Sequence, residues 1–579
     1  LARQFAERLE AVGGQVHFAA DAAEARDIIG QLCWNAAAEH APGAGVRPVV
    51  TKVKSMASEE IELNPYLESL GMEVVETDLG ERMVQLTGTR PSHIIAPAIH
   101  LTKEDAARVF GTEPTVEAIQ HHARLSLRQK FIEAVVGISG ANMAIAETGT
   151  VVLVTNEGNA DLTVTLPPVH IALFGMDKLI ASYEDAIAQL RMLTRSGTGQ
   201  RITSYVNWIT GPSRSADIEQ SLTIGVHGPR EMHCVILDNG RQRMRDDPIF
   251  RDALTCIRCG ACSNACPPFM AVGGHQFGHI YNGPIGLVLT PFHHGLAEAD
   301  LPNTLCTQCN ACQEACPVDI PLPRQILEHR RRGRKSLRKR ALLGLWERPA
   351  LADRVLRTGA PFSGALAGTP KLAGRPYRDR APRPSGRGEP LTIFASCMAD
   401  RALPEAAVAL ERIAAAAGFD VGFPKGQWCC GLIAANGGDL TRFVLELLEH
   451  RPELVRRPAE RPRVAYHDSC QSLRQLGLKQ EPRRLLELAG YEVVDIPDIA
   501  NCCGFGGTFS VEWPGVATRL AQWKLDAIAK TGSSVVASDN PGCLVHIAAN
   551  ARARRQKVRI AHVLELVAER LEPPPVPAR

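Results

Sequence analysis

Over the first 240 residues, short β-branched runs alternate with longer stretches in which apolar side chains recur at helical spacing. Val49 to Val53, Met72 to Thr77, Val151 to Thr155 and Cys234 to Leu237 read as strands, and Phe5, Leu9 and Val12 mark an amphipathic opening. This alternation predicts an α/β domain over 1–240 built on a largely parallel sheet. Residues 241–330 change character, with helical stretches separating close runs of cysteine, the pattern of a small helical metal-bearing domain. From 331 to 390 the chain is basic and then rich in Pro, Gly and Arg, the composition of a linker. The α/β alternation returns over 391–579, so the chain is predicted to be a multidomain α/β protein, as its length also requires.

The last segment carries an internal repeat. Cys397 precedes Cys429-Cys430-Gly431 by the same interval that separates Cys470 from Cys502-Cys503-Gly504. Each opening cysteine follows a β-like run, Leu391 to Phe394 or Val464 to Tyr466, and so falls at the carboxyl end of a strand, where α/β domains bind ligands. The first copy is shorter between Gly431 and Tyr466 and has no late cysteine of its own.

Seventeen cysteines in short ligand-like spacings within a large chain read as metal ligands in a reducing compartment. The formal charge of +3 gives no global reason to expect a nucleic-acid partner. Eight of the eleven residues from Arg330 to Arg340 are basic, but no nucleic-acid-reading motif accompanies them, and a solvated helix face accounts for the run. No apolar run approaches membrane-spanning length and no signal-peptide pattern opens the chain. The expected location is cytoplasmic, at most peripheral at the inner face of the membrane. The chain begins at Leu1 inside its first amphipathic pattern, which points to a missing upstream segment.

The sharpest chemical signal is Cys256-x2-Cys259-x2-Cys262-x3-Cys266-Pro267, repeated as Cys306-x2-Cys309-x2-Cys312-x3-Cys316-Pro317. In a two-cluster ferredoxin run, three close thiolates bind one cubane [4Fe-4S] cluster and the fourth crosses to the other. Cys256, Cys259, Cys262 and Cys316 are thereby expected at one cluster, and Cys306, Cys309, Cys312 and Cys266 at the second. A pair of zinc sites is the competing reading, but four-coordinate zinc leaves the third cysteine and the proline of each run without a purpose. Cys470, Cys502, Cys503 and Cys543 form the other thiol set. Adjacent cysteines fit a regular cubane face poorly, so one irregular [4Fe-4S] cluster or a thiol-disulfide site is expected there. Cys33 and Cys234 read as buried structural thiols.

A softer signal lies in the first domain. Gly137 to Asn142, Glu147 to Thr150 and Thr155 to Asn159 place small and amide side chains on both sides of one strand, as in a polar crevice for a small anionic or hydroxylated ligand; glycine-rich turns without function are the alternative. Lys52, Lys54 and Ser55, after a β-like run, are candidate carboxylate or phosphate contacts, a solvated surface being the competing reading for each lysine. No dinucleotide or Walker motif appears in its required context.

These residues together resemble the lactate utilisation iron-sulfur proteins. Lys54-Ser-Met-Ala-Ser-Glu-Glu60, Val75-Glu-Thr-Asp-Leu-Gly80, His93-Ile-Ile-Ala-Pro-Ala-Ile-His100, Ala146-Glu-Thr-Gly-Thr150 and Thr155-Asn-Glu-Gly-Asn159 look like the lactate utilisation domain, followed by the double ferredoxin motif. Gly273-Gly-His275 and Gly283-Pro-Ile-Gly286 fit between the clusters. Tyr466-His-Asp-Ser-Cys470 and Cys502-Cys-Gly-Phe-Gly-Gly-Thr-Phe-Ser510 look like a separate cysteine-rich subunit of the heterodisulfide reductase type, here fused to the rest.

The resemblance implies an oxidoreductase that converts L-lactate, or a related 2-hydroxy acid, to pyruvate without a nicotinamide, its partners being a further lactate utilisation domain subunit and a quinone or membrane redox partner. The substrate set expected on this reading is Lys54, Ser55, Asn142, Glu147, Thr148, Asn156 and Glu157. Hydroxy-acid oxidation also needs a general base. His467 is the first candidate by chemistry, ahead of His100, His170 and His275. Two alternatives use the same modules: an electron-transfer subunit for a flavin glycolate or D-lactate dehydrogenase, and a heterodisulfide-type thiol-disulfide reductase acting at Cys502 and Cys503.

Overall fold

The computed structural model describes the chain except residues 41–45, 334–343, 346–347, 364–370, 396, 425–426, 428–437, 457–459, 498–501 and 573–579. It divides into two units, Leu1–Asn303 with Ala315–Gly333, and Thr304–Glu314 with Arg334–Arg579.

The strands of the first unit are β1 (Gln15–Ala19), β2 (Val49–Lys52), β3 (Glu73–Glu76), β4 (Ala134–Ser139), β5 (Met143–Ile145), β6 (Thr150–Thr155), β7 (Val169–Gly175), β8 (Leu179–Ile180), β9 (Tyr205–Ile209), β10 (Arg214–Ser215), β11 (Thr223–Ile224) and β12 (Glu231–Leu237). Six of them form a sheet in the order β1-β12-β7-β4-β2-β3 with every pairing parallel, as the alternation predicts. Its central strands are apolar on both faces because both are covered. On β7, Val169, Ile171 and Leu173 join the core under the helix Ala22–His40, while Ala172 and Phe174 meet Phe5 and Leu9 of the first helix on the opposite side.

Val151 to Thr155 departs from the parallel expectation. It is part of β6 in a second sheet ordered β8-β5-β6-β9, where it runs antiparallel to β5 and β9. The reason is local, since only the turn over 146–149 separates β5 from β6 and a parallel crossover needs about a dozen residues or more. The helical part of this unit includes Pro267–Val272, Gly283–His293 and Leu322–Arg332, each with a proline in its first turn, where its missing N–H costs no helical hydrogen bond.

The second unit contains β13 (Glu389–Thr392) parallel to β14 (Phe419–Gly422), and a parallel sheet of β15 (Arg463–Tyr466), β16 (Glu492–Asp495), β17 (Val535–Ser538) and β18 (Arg559–His562) in the order β16-β15-β17-β18. One core joins Ile393, Ile413 and Val444 to Val464, Leu485 and Val563. Tyr377 is wholly buried in that core, and Arg378 pairs with Asp400. The end of the stretch that composition reads as linker is therefore packed, anchored by one aromatic that a count of Pro and Gly does not register. Of the basic run, Arg330 to Arg332 end a helix and the remainder from residue 334 lies outside the described residues.

Candidate substrate pocket and iron-sulfur ligands

In the first unit the carboxyl ends of β2, β4, β7 and β12 converge on a cavity of about 370 Å³, the place where an open parallel sheet leaves a crevice. Ser55 caps the helix Met56–Glu60 directly after β2, accepting the N–H of Ser58 on Oγ, and this sharp strand-to-helix turn carries Lys54 and Ser55 into the wall. Asn142, Asn156 and Glu157 also line the cavity. Asn142 Oδ1 accepts the Val154 N–H at 2.9 Å, and Asn156 donates to Gln200 at 3.0 Å. Glu147 and Thr148 lie elsewhere: Glu147 is exposed and accepts the Tyr183 N–H, and Thr148 hydrogen-bonds Thr150. The predicted seven thus divide into five wall residues and two turn residues.

Charge in the wall comes mainly from residues the sequence reading passed over. Arg241 donates to both oxygens of Glu60 at 2.9 and 2.8 Å and also to Asp177. Asp177 accepts from Arg258 as well, at 2.9 Å. Burial alone raises a carboxyl, yet these two guanidinium groups hold Asp177 well below the usual carboxylate range. Gly175 makes room for the ion pairs, since a Cβ there would come within 2.2 Å of Arg241 Nε. Burial, reinforced by the Arg258 charge, lowers the Lys178 amine to about 8. A readable signal existed for both cations: Lys178 closely follows the apolar run ending at Gly175, as Lys54 follows β2, and Arg258 occupies the position of the first cysteine run that Gln308 occupies in the second.

The first cysteine run adjoins this wall. Cys256, Cys259, Cys262 and Cys316, all in the first unit, act on one another: burial and then the Cys256 charge push Cys262 up to about 12, with Cys259 and Cys316 adding to it. Cys259 is raised for the same reasons. Four clustered sulfurs that repel as thiolates fit a group that brings compensating positive charge, as iron does. Backbone N–H groups are aimed at them, from Arg258 to Cys256 at 3.4 Å and from Ile320 to Cys316 at 3.5 Å, and such donors stabilise a ligating thiolate. This grouping matches the crossed set expected from the spacing. Cys266 belongs to the first unit, whereas Cys306, Cys309 and Cys312 belong to the second.

Within the second unit the run 304–314 is bound to the cysteine-rich module. Trp513 Nε1 donates to Thr304 Oγ1 at 2.9 Å, Arg474 donates to Glu314 at 2.5 Å, and Cys502 Sγ lies 4.0 Å from Thr307 Oγ1. Cys309 feels the charge of Cys502, and Cys470 that of Cys502, Cys309 and Cys503. Ser469 and Asn540 cap the helices that present Cys470 and Cys543 after β15 and β17, the two neighbouring strands at which the chain order of the sheet reverses. Cys502 and Cys503 enter from the segment after β16, and the N–H groups of Gly504 and Phe505 point at their sulfurs at 3.3 and 3.4 Å. Gly504 has φ +87°, and a Cβ on it would lie 2.4 Å from the Ala517 carbonyl oxygen.

Ligand atoms of His467, Cys503 and Cys543 lie within 4.8 Å of one another, all three residues buried. Both ring nitrogens of His467 lack a hydrogen-bond partner among the described residues, the state of a donor set that fits a metal group. His467 is absent from the wall of the first-unit cavity. Of the other histidines, His170 is buried against Ser139 at 2.8 Å, and His100 packs on His275 with ring centroids 4.6 Å apart. In the first cysteine-rich copy, Cys397 is buried at the start of a short helix, while Cys429 and Cys430 lie outside the described residues. No helix of the described residues is long and apolar enough to cross a membrane.

Three family models match the chain in order: the LUD domain over residues 2–237, the 4Fe-4S dicluster domain over 252–320, and the cysteine-rich CCG domain twice, over 391–453 and 464–548. Among curated proteins, "Lactate utilization protein B" of Anoxybacillus flavithermus is 43% identical over 337 residues, 56% of this chain and 67% of the relative. Its namesake in Bacillus licheniformis is 42% identical over 369 residues, 62% of this chain and 72% of the relative. An "Uncharacterized electron transport protein YkgF" of Escherichia coli is 42% identical over 336 residues, 57% of this chain and 66% of the relative.

Proposed function

Because the chain belongs to the lactate utilization protein B family, we propose that it is the iron-sulfur component of L-lactate oxidation to pyruvate, taking the hydroxy acid in the cavity of the first unit. The observation that carries this reading is that Arg258 lines the cavity and stands between Cys256 and Cys259. A bound ligand is thereby one residue away from a candidate cluster. Oxidation of the carbinol carbon releases two electrons and two protons. Clusters held on these cysteines would supply one-electron acceptors, two of which would suffice for the pair. Lys54, Ser55, Asn142, Asn156 and Glu157 supply a cation, a hydroxyl, two amides and a carboxylate suited to orienting a carboxylate and a hydroxyl. The cavity wall offers Lys54, Asp78, Glu157 and Lys178 as proton-exchanging groups and, among the described residues, includes no histidine.

The proposal extends to two cubane clusters, on Cys256, Cys259, Cys262 and Cys316 and on Cys306, Cys309, Cys312 and Cys266. One irregular cluster on Cys470, Cys502, Cys503 and Cys543 completes the set, with a further lactate utilisation domain subunit and a quinone as redox partners. A second reading, an electron carrier for a flavin dehydrogenase, is favoured by the nearness of Cys309 to Cys502 in the second unit, which suits relay alone. Anaerobic mixing of the cluster-loaded chain with L-lactate, D-lactate or glycolate separates the two. Bleaching of the cluster absorbance by L-lactate is expected. Clusters that stay oxidised with every hydroxy acid yet are reduced by dithionite establish the carrier.

A further inference from the structure

We propose that Lys178 and Arg258 form the carboxylate-recognising pair of this cavity, and that through Arg258 the bound anion sets the potential of the cluster on Cys256, Cys259, Cys262 and Cys316. The inference rests on the hydroxy-acid reading of the cavity and names the atoms that select its substrate class.

An inventory of charge identifies the pair. Of the other cations in the wall, Lys54 donates to the Ile95 carbonyl and Arg241 is committed to Glu60 and Asp177. Arg258 gives one terminal nitrogen to Asp177, while its other, Nη1, is buried without a hydrogen-bond partner among the described residues on a side chain only 10% exposed. A buried guanidinium nitrogen left unpaired is costly, so the position is retained for a ligand that pairs with it. Lys178 faces the same cavity, and its Nζ makes no hydrogen bond or ion pair among the described residues. A carboxylate has two oxygens, and the remaining Nη1 of Arg258 with the point charge of Lys178 provides a donor for each.

The chain contains its own comparison. Arg258 and Gln308 hold the same position in the two cysteine runs and share a left-handed backbone, φ +60° and +57°. In both runs the residue's N–H points at the preceding cysteine sulfur at 3.4 Å. The cluster loop therefore demands the backbone and tolerates either side chain. Gln308 turns its amide onto Cys306 at 3.4 Å, whereas Arg258 stacks over the Tyr281 ring at 5.2 Å and reaches the cavity wall. The arginine thus touches both sides, lining the cavity while its guanidinium acts on Cys256 of the cluster loop.

A cation beside an iron-sulfur cluster favours its reduced, more negative form, and an anion seated on that cation withdraws the benefit. Carboxylate binding is therefore expected to move the midpoint potential of this cluster downward, and Arg258→Gln to lower it without ligand. The test uses the full-length, anaerobically cluster-loaded chain, with L-lactate, pyruvate and the neutral isostere lactamide as probes. Calorimetry should show lactate and pyruvate bound and lactamide weaker by roughly tenfold to a hundredfold, the value of charge-assisted hydrogen bonds. Lys178→Met and Arg258→Gln should each weaken lactate by a similar factor with unchanged iron content, and redox titration should show a ligand-induced shift in the wild type that Arg258→Gln lacks. Unweakened lactate binding in both variants, or lactamide bound as tightly as lactate, overturns the pair while leaving the hydroxy-acid site standing. A wild-type chain that binds no carboxylate overturns both.

Discussion

Replacing Lys52 by methionine probes the charge cluster beneath the cavity. Lys52 is wholly buried in β2, and its ammonium donates to Glu76 at 2.7 Å, Ser58 at 2.8 Å and Glu59 at 3.1 Å. Methionine fills nearly the same space, so packing is conserved and the loss is electrostatic. Glu76, itself buried, then keeps the Asn64 amide at 2.6 Å as its one side-chain donor among the described residues. Removing one partner of a buried ion pair costs about 3–5 kcal/mol, a change of roughly a hundredfold to a thousandfold or more in the local opening equilibrium. Lys52→Met with Glu76→Gln removes the stranded charge and should recover most of that loss. Hydrogen exchange on peptides covering β2 and β3 reads the change, with peptides from β15 and β17 as an internal reference, because exchange reports opening unit by unit. An acceleration below about tenfold, or a double variant that exchanges as fast as Lys52→Met alone, would refute this account of the cluster.

Glu81 is raised to about 8 by burial and then by the Glu76 and Glu59 charges, so the folded chain holds a proton that the unfolded chain releases above its ordinary value. Stability from this group is complete at acid pH and falls as pH rises toward 8; Glu81→Gln should match the wild type near pH 5 and exceed it by a few kcal/mol above pH 8 in denaturant titrations. Cys316→Ser should remove about four iron atoms per chain together with the paramagnetic signal of the first-run cluster, although Cys316 belongs to the second run in sequence. Loss of the second-run signal instead would disprove the crossed set. Lys54→Met should weaken hydroxy-acid binding about tenfold, whereas Glu147→Ala should leave it unchanged within about twofold, since only the former lines the cavity. Equal effects in calorimetry would return Glu147 to the site.

What was legible in the sequence had a periodic or exact-spacing signal. Val49 to Lys52 and Val464 to Tyr466 are strands because β-branched runs between turns have few other solutions, and the grouping of Cys316 with Cys256, Cys259 and Cys262 follows from the spacing of two runs. The sheet to which β6 belongs was not legible by its apolar run. The shortness of the turn before it was the signal. Glu147 and Thr148 fall outside the cavity wall because a motif lists neighbours in sequence, whereas cavity walls are assembled from strand ends far apart. Lys178, Arg241 and Arg258 come from three such ends or loops, and the carboxylates that pair with the two arginines, Glu60 and Asp177, are distant from them in the chain.

The contrast between Arg258 and Gln308 bears on how one chain handles a two-electron donor. Two runs with the same ligand spacing and the same left-handed backbone position impose no difference in themselves. The difference enters through the surrounding residues: Asp177, Tyr281 and Lys178 around Arg258, and Cys502 and Arg474 near Cys309. A cation in contact with the cavity ties the first-run cluster to the charge of whatever the cavity holds, while the second-run thiols face other thiols. Substrate occupancy should then be felt by one cubane and not by the other. An acceptor whose potential falls when an anionic product remains bound returns electrons to that product more readily. On the proposed function, departure of the anion would raise the potential again and hold the electron on the chain, giving product release a thermodynamic role in driving transfer onward.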